Sequence, residues 1–283
     1  MIAASVFSRS PLSRRLVALS FSDSCPPLSC DSEAADRLLS AMVARGPSNA
    51  KYEIRGIRGV ESWATVDRFV NWQLDLARPV MQLEKGLAPN FRRNLKRAAH
   101  ESITVERGSS VELMKRFYAI QLDSRRRLGL PPQPWRFFQL VQEFFATNEN
   151  LEVWVAQENG KDKASAVFIR DGDVIHYKWG ARTVNDASHA NHLLFWSAIQ
   201  HFVSSAKVLN LGRADVRNLG LMRFKKELGG SPAALPFAFY PRAPKQVSAE
   251  VLTGARKTIS AIWTQLPISV TRVLGGAIYR YLG

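Results

Sequence analysis

The alternation of apolar and polar residues from Leu151 to Tyr240 predicts a succession of strands and helices. Three runs alternate with a period of two, as half-buried strands do, and glycine-containing turns separate them. Farther on, apolar residues recur at helical spacing. Because proline cannot donate to a strand ladder, we expect Pro236 to start the last strand or to place it at an edge. The predicted elements are strands over 151–156, 164–170 and 174–179, a helix over 191–206, a strand over 208–211, a helix over 219–228 and a strand over 235–240.

The first half of the chain mixes the same two periods. The first 24 residues are rich in Arg and Ser and hold no acid before Asp23, as in a transit peptide, but the alternation of residues 15–21 favours an internal strand. The sequence therefore predicts an α/β (α+β) protein with a mixed central sheet flanked by helices. The other predicted elements are a helix over 31–45, strands over 52–57 and 71–80, a helix over 87–100, a strand over 103–106 and helices over 111–128 and 135–145.

Several motifs, taken in their order and spacing, resemble the catalytic half of GNAT-type acyltransferases. The similarity is to the branch that contains the Fem-type peptidoglycan aminoacyltransferases and related acetyltransferase-like proteins of cell-envelope and exopolysaccharide pathways. It extends upstream through a basic segment that resembles the helix joining the two halves of such proteins. The motifs are Tyr177-Lys178-Trp179-Gly180-Ala181, Asn191-His192-Leu193-Leu194-Phe195-Trp196, Asn210-Leu211-Gly212-Arg213, Gly220-Leu221, Phe224-Lys225, Leu228-Gly229 and, upstream, Phe91 to Ala98.

The resemblance implies a GNAT-like fold of two halves. Residues 1–85 would be a partial N-terminal half, 86–148 basic connecting helices, 149–241 the catalytic half and 242–283 a basic amphipathic tail. The first segment is short for an ordinary domain, so we expect the chain to begin partway into that half.

The resemblance also places the active site. In GNAT folds the acyl donor lies where the fourth strand splays from the fifth, which here are the strands that contain Tyr177 and Asn210. The Phe224-Lys225 pair is expected at the junction of donor and acceptor, where the Lys225 ammonium can stabilise charge that develops on the carbonyl oxygen. Arg213 is its expected companion. Tyr177 is a substrate-binding candidate, with core packing as the alternative.

Proton transfer is less well determined by the sequence. His192 is a candidate general base, although packing at the start of its helix is an equal alternative. The family often has Asp at the position of Asn210, and an amide cannot serve as a base. Asp215 and Glu227 are the remaining candidates for that role.

The charge balance indicates an anionic partner. The chain has 39 basic and 24 acidic residues, a net charge of +15. Such a partner could be a phosphorylated or lipid-linked acceptor, CoA, tRNA or a membrane surface. One concentration of cations falls on a single broad helix face, where it would form a phosphate-binding strip or a solvated surface. Its members are Arg92, Arg93, Lys96 and Arg97.

The sequence leaves two classes of acyl donor possible. Classical GNAT acetyltransferases bind the CoA pyrophosphate through a glycine-rich loop, which residues 180–189 lack. We therefore expect acyl-CoA (acetyl-CoA) or, as in the Fem-type enzymes, aminoacyl-tRNA. No metal is expected, because Cys25 and Cys30 lack the second pair that a zinc site would need.

The last residues form a separate feature. Apolar residues recur at helical spacing from Ile259 to Tyr281, interrupted by Pro267, and no acid follows Glu250. Such a basic amphipathic segment suits a membrane surface, or it docks against the protein's own core or a partner. No apolar run approaches the ~20 residues of a membrane span. We therefore expect a cytoplasmic protein, which could also bind peripherally to the inner face of the membrane.

Two functions follow. The first is transfer of an acetyl or aminoacyl group onto an amine of a cell-envelope or exopolysaccharide precursor, by positioning and carbonyl polarisation. The second is a non-catalytic protein that binds RNA or a membrane surface and retains a degenerate GNAT-like fold. An enzyme should show a cleft on which Arg213 and Lys225 converge, whereas a binding module needs only a continuous basic surface.

Overall fold

The computed structural model describes residues 7–9, 15–19, 22–183, 188–242 and 261–279. Its strands are β1 Phe7–Arg9, β2 Arg15–Ala18, β3 Lys51–Arg55, β4 Ala64–Asp75, β5 Ile103–Gly108, β6 Leu151–Glu158, β7 Lys161–Asp171, β8 Val174–Arg182, β9 Val208–Asp215 and β10 Ser231–Tyr240. Its helices are α1 Ser32–Arg45, α2 Val80–Gly86, α3 Pro89–Ala98, α4 Val111–Arg127, α5 Trp135–Phe145, α6 Ala190–Phe202, α7 Leu219–Glu227 and α8 Ile268–Tyr279, with a 3-10 turn at Ala146–Asn148. Residues 261–265 are also helical.

All ten described strands join one sheet, in the order β1-β2-β3-β10-β4-β9-β8-β7-β6-β5. The pairs β2/β3 and β8/β9 are parallel and the other pairs are antiparallel. The predicted mixed sheet flanked by helices is therefore confirmed. Because β4 lies between β9 and β10, the early strands complete the sheet of the later ones. The division into two GNAT-like halves stays a prediction.

The strands alternate their side chains between two cores on opposite faces of the sheet. On one face, Phe168 packs with helices α3, α6 and α7 around rings such as Phe91 and Phe195. On the other face, Val167 packs with α4 and α5, around Phe117 and Phe138. These four rings are each at most 1% exposed, and burying a Phe side chain contributes roughly 1.5–3 kcal/mol. The two cores hold the central strands rigidly from both sides.

Two predictions about strands were wrong. The predicted strand over 71–80 is instead β4, which ends at Asp75, and Val80 begins α2 directly after Pro79. Proline fixes the φ that a helix start needs, so it ends the extended run. Pro236 lies inside β10, between β3 and β4, and neither starts the strand nor lies at an edge. The register against β4 shifts between Leu235 and Phe237, and such a bulge accommodates a residue that has no N–H.

The tail helix α8 packs on the protein through small residues. Thr271 is fully buried, and Gly275 lies so close to Pro132 that a Cβ would collide with the proline ring. The outward face carries larger apolar side chains at helical spacing, namely Val270, Val273 and Leu274, all exposed. Docking against the core is therefore observed for one face only. Ile259 and Tyr281 lie outside the described residues, and within the described residues no helix is long and apolar enough to cross a membrane.

Candidate functional site

The parallel strands β8 and β9 pair over only three positions before they separate. Val174 pairs with Val208, Ile175 with Leu209 and His176 with Asn210. Beyond these pairs β8 continues to Arg182 and β9 to Asp215. We call the separated segments, residues 177–182 and 211–215, the fork. The paired segments, 174–176 and 208–210, form the closed end. The structure places the splay where the resemblance implied.

A bulge in β9 sets the geometry of the fork. Trp72 of β4 pairs with Gly212 and Gln73 with Asn210, which leaves Leu211 without an opposite residue. Asn210 Oδ1 accepts the N–H of Gly212 at 2.8 Å, and Gly212 has a φ of +77° that favours glycine. The amide at position 210 therefore stabilises the bulge, a role open to Asn as well as to Asp.

Lys225 of α7 lies beneath this bulge and is only 3% exposed. Its Nζ donates to the carbonyl oxygens of Gly212 at 2.8 Å and Arg213 at 2.9 Å. Burial lowers the pKa of the ammonium to about 8, against the opposing effect of Asp23. The resemblance predicts Lys225 on a cleft at the junction of donor and acceptor. The structure buries it in the wall of the fork, with its charge directed at the β9 backbone.

The side chain of Arg213, which follows Gly212 of the bulge, points toward two aromatic rings and Asp23. Its guanidinium lies 4.9 Å from the ring centre of Phe69 and 5.5 Å from that of Phe237, and its Nε is 3.8 Å from Asp23 Oδ1. Burial lowers its pKa. Arg213 and Lys225 meet through the Arg213 carbonyl, while the Arg213 side chain turns to the aromatic rings and Asp23.

The two aromatic candidates, Tyr177 and Phe224, both pack against the ring of Phe195. Tyr177 lies 5.0 Å from Phe195 and Phe224 lies 5.2 Å from the same ring, both edge to face. Burial raises the pKa of Tyr177 to about 12, and its hydroxyl sits where a side chain on Gly180 would be. Both rings form part of the fork wall, and a contact with substrate stays a prediction.

His192 is enclosed near the start of α6. Its ring lies 4.8 Å from Phe91, and Asn94 Nδ2 is 3.1 Å from its Nε2. Within the described residues its buried Nδ1 has no hydrogen-bond partner. Burial, helped by neighbouring His189, lowers its pKa and so favours the neutral form of the ring. With Asn94 donating, the Nε2 lone pair is occupied.

A carboxylate and imidazole pair that the sequence did not single out lies at the N-terminus of α6. Glu101 Oε2 accepts the backbone N–H of His189 at 2.9 Å, and its Oε1 lies 2.5 Å from His189 Nδ1. Burial raises the pKa of Glu101, but these bonds lower it overall. A helix N-terminus is where an anion is held best. The protein's own carboxylate already occupies this position.

The predicted cationic strip lies on the outer face of α3. Phe91 and Ala98 anchor the inner face and are fully or nearly buried, which leaves the basic side chains exposed. The strip consists of Arg92, Arg93, Lys96 and Arg97. Arg93 Nη2 donates to Asn90 Oδ1 at 2.5 Å. Within the described chain none of the four forms a salt bridge, so their charge is available to an anion.

The structure adds two residues to the site that the sequence did not predict. Asp23, from the segment before α1, lies beside Gly212 and Arg213. His176 lies at the closed end with its Nδ1 3.4 Å from Asn210 Nδ2, and burial lowers its pKa. Periodicity carries no information about contacts between such distant segments. Within the described residues, no three His, Cys, Asp or Glu side chains could together hold a metal ion.

Comparisons with known proteins agree with this geometry. Residues 87–226 match the family described as "Acetyltransferase (GNAT) domain". The C-terminal domain (DUF2156) of a putative lysylphosphatidylglycerol synthetase from Agrobacterium fabrum superposes with a TM-score of 0.62 at 17% identity, covering 89% of this chain and 84% of that one. FemX gives 0.61 at 12% identity, covering 87% and 85%, and L-PGS from Bacillus licheniformis gives 0.61 at 13% identity, covering 89% and 85%.

A comparison with curated protein sequences finds no significant match. The solved structures share the fold at low identity, and the family match covers the segment from α3 to α7 that builds the fork and its surroundings. The predicted resemblance to GNAT-type acyltransferases is confirmed: residues 87–226 match the GNAT acetyltransferase domain, and the chain shares its fold with FemX and with the lysylphosphatidylglycerol synthetase domain.

Proposed function

We propose that the protein transfers an acetyl or aminoacyl group onto an amine of a cell-envelope or exopolysaccharide precursor. The observation that carries the proposal is the fork, where β8 and β9 separate directly above the buried ammonium of Lys225. Separated strands leave backbone groups that can hold the carbonyl of an activated acyl group. A protein that only bound RNA or lipid would not need this arrangement.

The chemistry follows from positioning and charge. The acceptor amine attacks the carbonyl carbon of the donor, and negative charge develops on the carbonyl oxygen. Lys225 lowers the energy of that state through its charge and by fixing the Gly212 and Arg213 peptides, whose carbonyls it holds. A fixed charge in a site from which water is excluded acts more strongly than one in solvent. The acyl group passes directly to the amine, without a covalent enzyme intermediate.

Of the two donor classes, the site favours aminoacyl-tRNA over acyl-CoA. Glu101 occupies the backbone N–H at the start of α6, and its negative charge opposes a pyrophosphate at the same place. The exposed strip on α3 supplies four cations to a polyanion along the adjacent surface. One similar structure is described as a domain of a putative lysylphosphatidylglycerol synthetase, a name that joins an amino acid to a lipid headgroup and supports an aminoacyl donor and an envelope acceptor. We place the protein in the cytoplasm, where charged tRNA is found.

Donor competition tests the proposal. The purified chain is incubated with radiolabelled acetyl-CoA or with tRNA charged with radiolabelled amino acids, each with an extract of amine-bearing envelope precursors. Label should move from charged tRNA to the extract, and uncharged tRNA should inhibit. Transfer from acetyl-CoA alone would reverse the donor assignment. Binding of tRNA without transfer from either donor would favour the non-catalytic alternative.

We also propose that the outward face of α8 rests on an anionic membrane surface. This face exposes Val270, Val273 and Leu274, and Arg272 of the same helix is also exposed. No acidic residue occurs after Glu250, so the segment repels a second copy of itself and attracts anionic lipid. Contact there would bring the site to lipid-linked acceptors.

A double substitution tests the lipid contact without removing the helix. Val273→Ser with Leu274→Ser alters exposed side chains only, so the melting temperature should stay unchanged while sedimentation with phosphatidylglycerol vesicles falls at least about fivefold. The matched control is Leu140→Ser with Phe144→Ser on α5, which are also exposed. Sedimentation that is equal in both variants would refute the lipid contact, and concentration-dependent dimers of the wild-type protein would identify a second copy as the occupant.

A further inference from the structure

Asp23 brings a carboxylate into the fork from the segment that precedes α1. A Cβ placed on Gly212 would lie 3.1 Å from Asp23 Oδ2 and 3.6 Å from the carbonyl oxygen of Tyr177. Asp23 therefore lies against Gly212 of β9, at a position that the backbone of β8 also borders. Its side chain is 37% exposed, so a substrate can reach the carboxylate.

Neighbouring groups hold Asp23 in this position. Arg55 Nη1 donates to the carbonyl oxygen of Ser22 at 2.7 Å, and the N–H of Cys25 donates to the carbonyl oxygen of Arg55 at 3.0 Å. Hydrogen bonds thus fix the chain on both sides of Asp23. The backbone around Asp23 is thereby held to Arg55 of β3, the strand that pairs with β10 in the sheet.

The charged groups around Asp23 come from three elements. Arg213 of β9 lies 3.8 Å away. Lys225 of α7 and His176 of β8 both interact electrostatically with it. The Asp23 carboxylate therefore interacts with groups from both strands of the β8/β9 pair and from α7, and a carboxylate within reach of a substrate amine can act as a base.

The other candidate bases are engaged elsewhere. Asp215 accepts bonds from Arg68 and Arg217, and Glu227 accepts one from Arg223 at 2.8 Å. The Nε2 of His192 is bonded by Asn94. Asn210 has no carboxylate, and its side-chain oxygen accepts the N–H of Gly212 in the bulge. Asp23, in contrast, lies beside Gly212 with 37% of its side chain exposed and with Arg213 Nε 3.8 Å away.

We propose that Asp23 is the general base of the transfer, supplying from the N-terminal segment the carboxylate that position 210 lacks. The inference rests on the proposed acyl transfer. As the nitrogen of the acceptor forms its bond to the carbonyl carbon, a proton passes from that nitrogen to Asp23. When the tetrahedral adduct collapses, the bond to the leaving oxygen breaks and Asp23 returns the proton to it. Carboxylate and charge are restored, and no other reactant is needed.

Asp23→Asn tests the assignment in the full-length protein. It should lower kcat by about 100-fold with KM changed less than about threefold, because an amide keeps the shape and loses the basicity. Asp23→Glu should recover part of the rate. Formate added to Asp23→Ala should restore activity in a concentration-dependent way, a response that a purely structural carboxylate would not give.

The controls separate this inference from the proposed function. Asp173→Asn alters an exposed carboxylate at the closed end and should leave kcat unchanged. Wild-type transfer together with a fully active Asp23→Asn protein, or loss of activity without formate rescue, would overturn the role of Asp23 and leave the transferase assignment standing. A wild-type protein that transfers from neither donor would overturn the transferase assignment, and the base with it. Loss of the melting transition in Asp23→Asn would make the residue structural.

Discussion

A lysine interacts with an aspartate at each end of the β8/β9 pair, Lys207 with Asp173 at the closed end and Lys225 of α7 with Asp23 at the fork. The two lysines differ in burial and in the direction of their pKa shifts. At the closed end, Lys207 Nζ lies 2.5 Å from Asp173 Oδ2 in solvent, and this hydrogen bond raises the pKa of the lysine. At the fork, Lys225 is buried, bonds to two carbonyl oxygens, and has a pKa lowered to about 8. Burial, more than the presence of a carboxylate, decides the sign of the shift.

The difference has a functional meaning. An exposed ion pair contributes little to stability or chemistry, because water screens both charges. A buried ammonium acts on nearby developing charge with little screening. The strands separate at the fork and not at the closed end, so in the proposed transfer we expect the substrate carbonyl to bind at the fork.

Removing each lysine gives the largest expected contrast. Lys225→Met should lower kcat by about 100-fold to 1,000-fold, the range for losing one group that stabilises an oxyanion. Lys207→Met should change kcat by less than about twofold. Single-turnover transfer assays at saturating donor measure both. Equal losses in the two variants would erase the distinction between the ends.

The pH dependence of Lys225 sharpens the same comparison. Its folded pKa of about 8 lies below the ordinary 10.5, so charging it destabilises the fold as pH falls from about 10.5 to about 8. Relative to wild type, Lys225→Met should gain about 3 kcal/mol in free energy of unfolding over that interval and nothing further below it. Urea unfolding at several pH values measures this. Wild-type activity should fall above about pH 8 as the ammonium is lost.

Charge reversal extends the contrast to binding. Arg93→Glu with Lys96→Glu should weaken binding of charged tRNA about 10-fold and reduce the slope of log K against log salt by about two, one for each cation that no longer pairs with a phosphate. The matched reversal is Arg78→Glu with Lys207→Glu, two exposed cations near the closed end. Filter binding at several salt concentrations compares them. A slope that stays unchanged would reduce the α3 strip to a solvated surface.

Two glycines provide the smallest expected effects. A side chain on Gly180 would collide with the Tyr177 hydroxyl, so Gly180→Ala should shift that ring and lower kcat about fivefold, since small displacements near reacting atoms are costly. Gly172 has a φ of +55° and open space around it. Gly172→Ala should cost about 1 kcal/mol of stability through backbone strain and leave kcat unchanged. Thermal melts and transfer assays distinguish the two outcomes.

Local periodicity predicted the elements well. The helix expected over 135–145 is α5 with the same bounds, and every strand and helix predicted between 151 and 240 is present, with longer strands. The strand over 71–80 failed because β4 alternates weakly: Asp67, Arg68 and Asn71 interrupt its apolar positions. The sequence pattern also gave no hint that β4 lies between β9 and β10.

The site was predictable where a motif specifies it and unpredictable where distant segments meet. The resemblance identified Lys225 and Arg213. It did not reveal that Lys225 is buried, which only the structure shows. The contacts of Asp23 with Arg213 and of Glu101 with His189 each join residues that are far apart in the chain. No spacing rule relates them, because sheet order decides which segments become neighbours.

The position of β4 has a consequence for how the molecule folds. Contacts of this strand reach far along the chain: Trp72 Nε1 donates to the sulfur of Met222, 150 residues later, and Arg68 binds Asp215, 147 residues later. Chain entropy must be lost before such pairs can form, so folding of this topology is slow. During synthesis we expect β4 to remain unpaired, with its apolar residues exposed to solvent, until both β9 and β10 have left the ribosome. We therefore expect the nascent chain to bind chaperones over that interval.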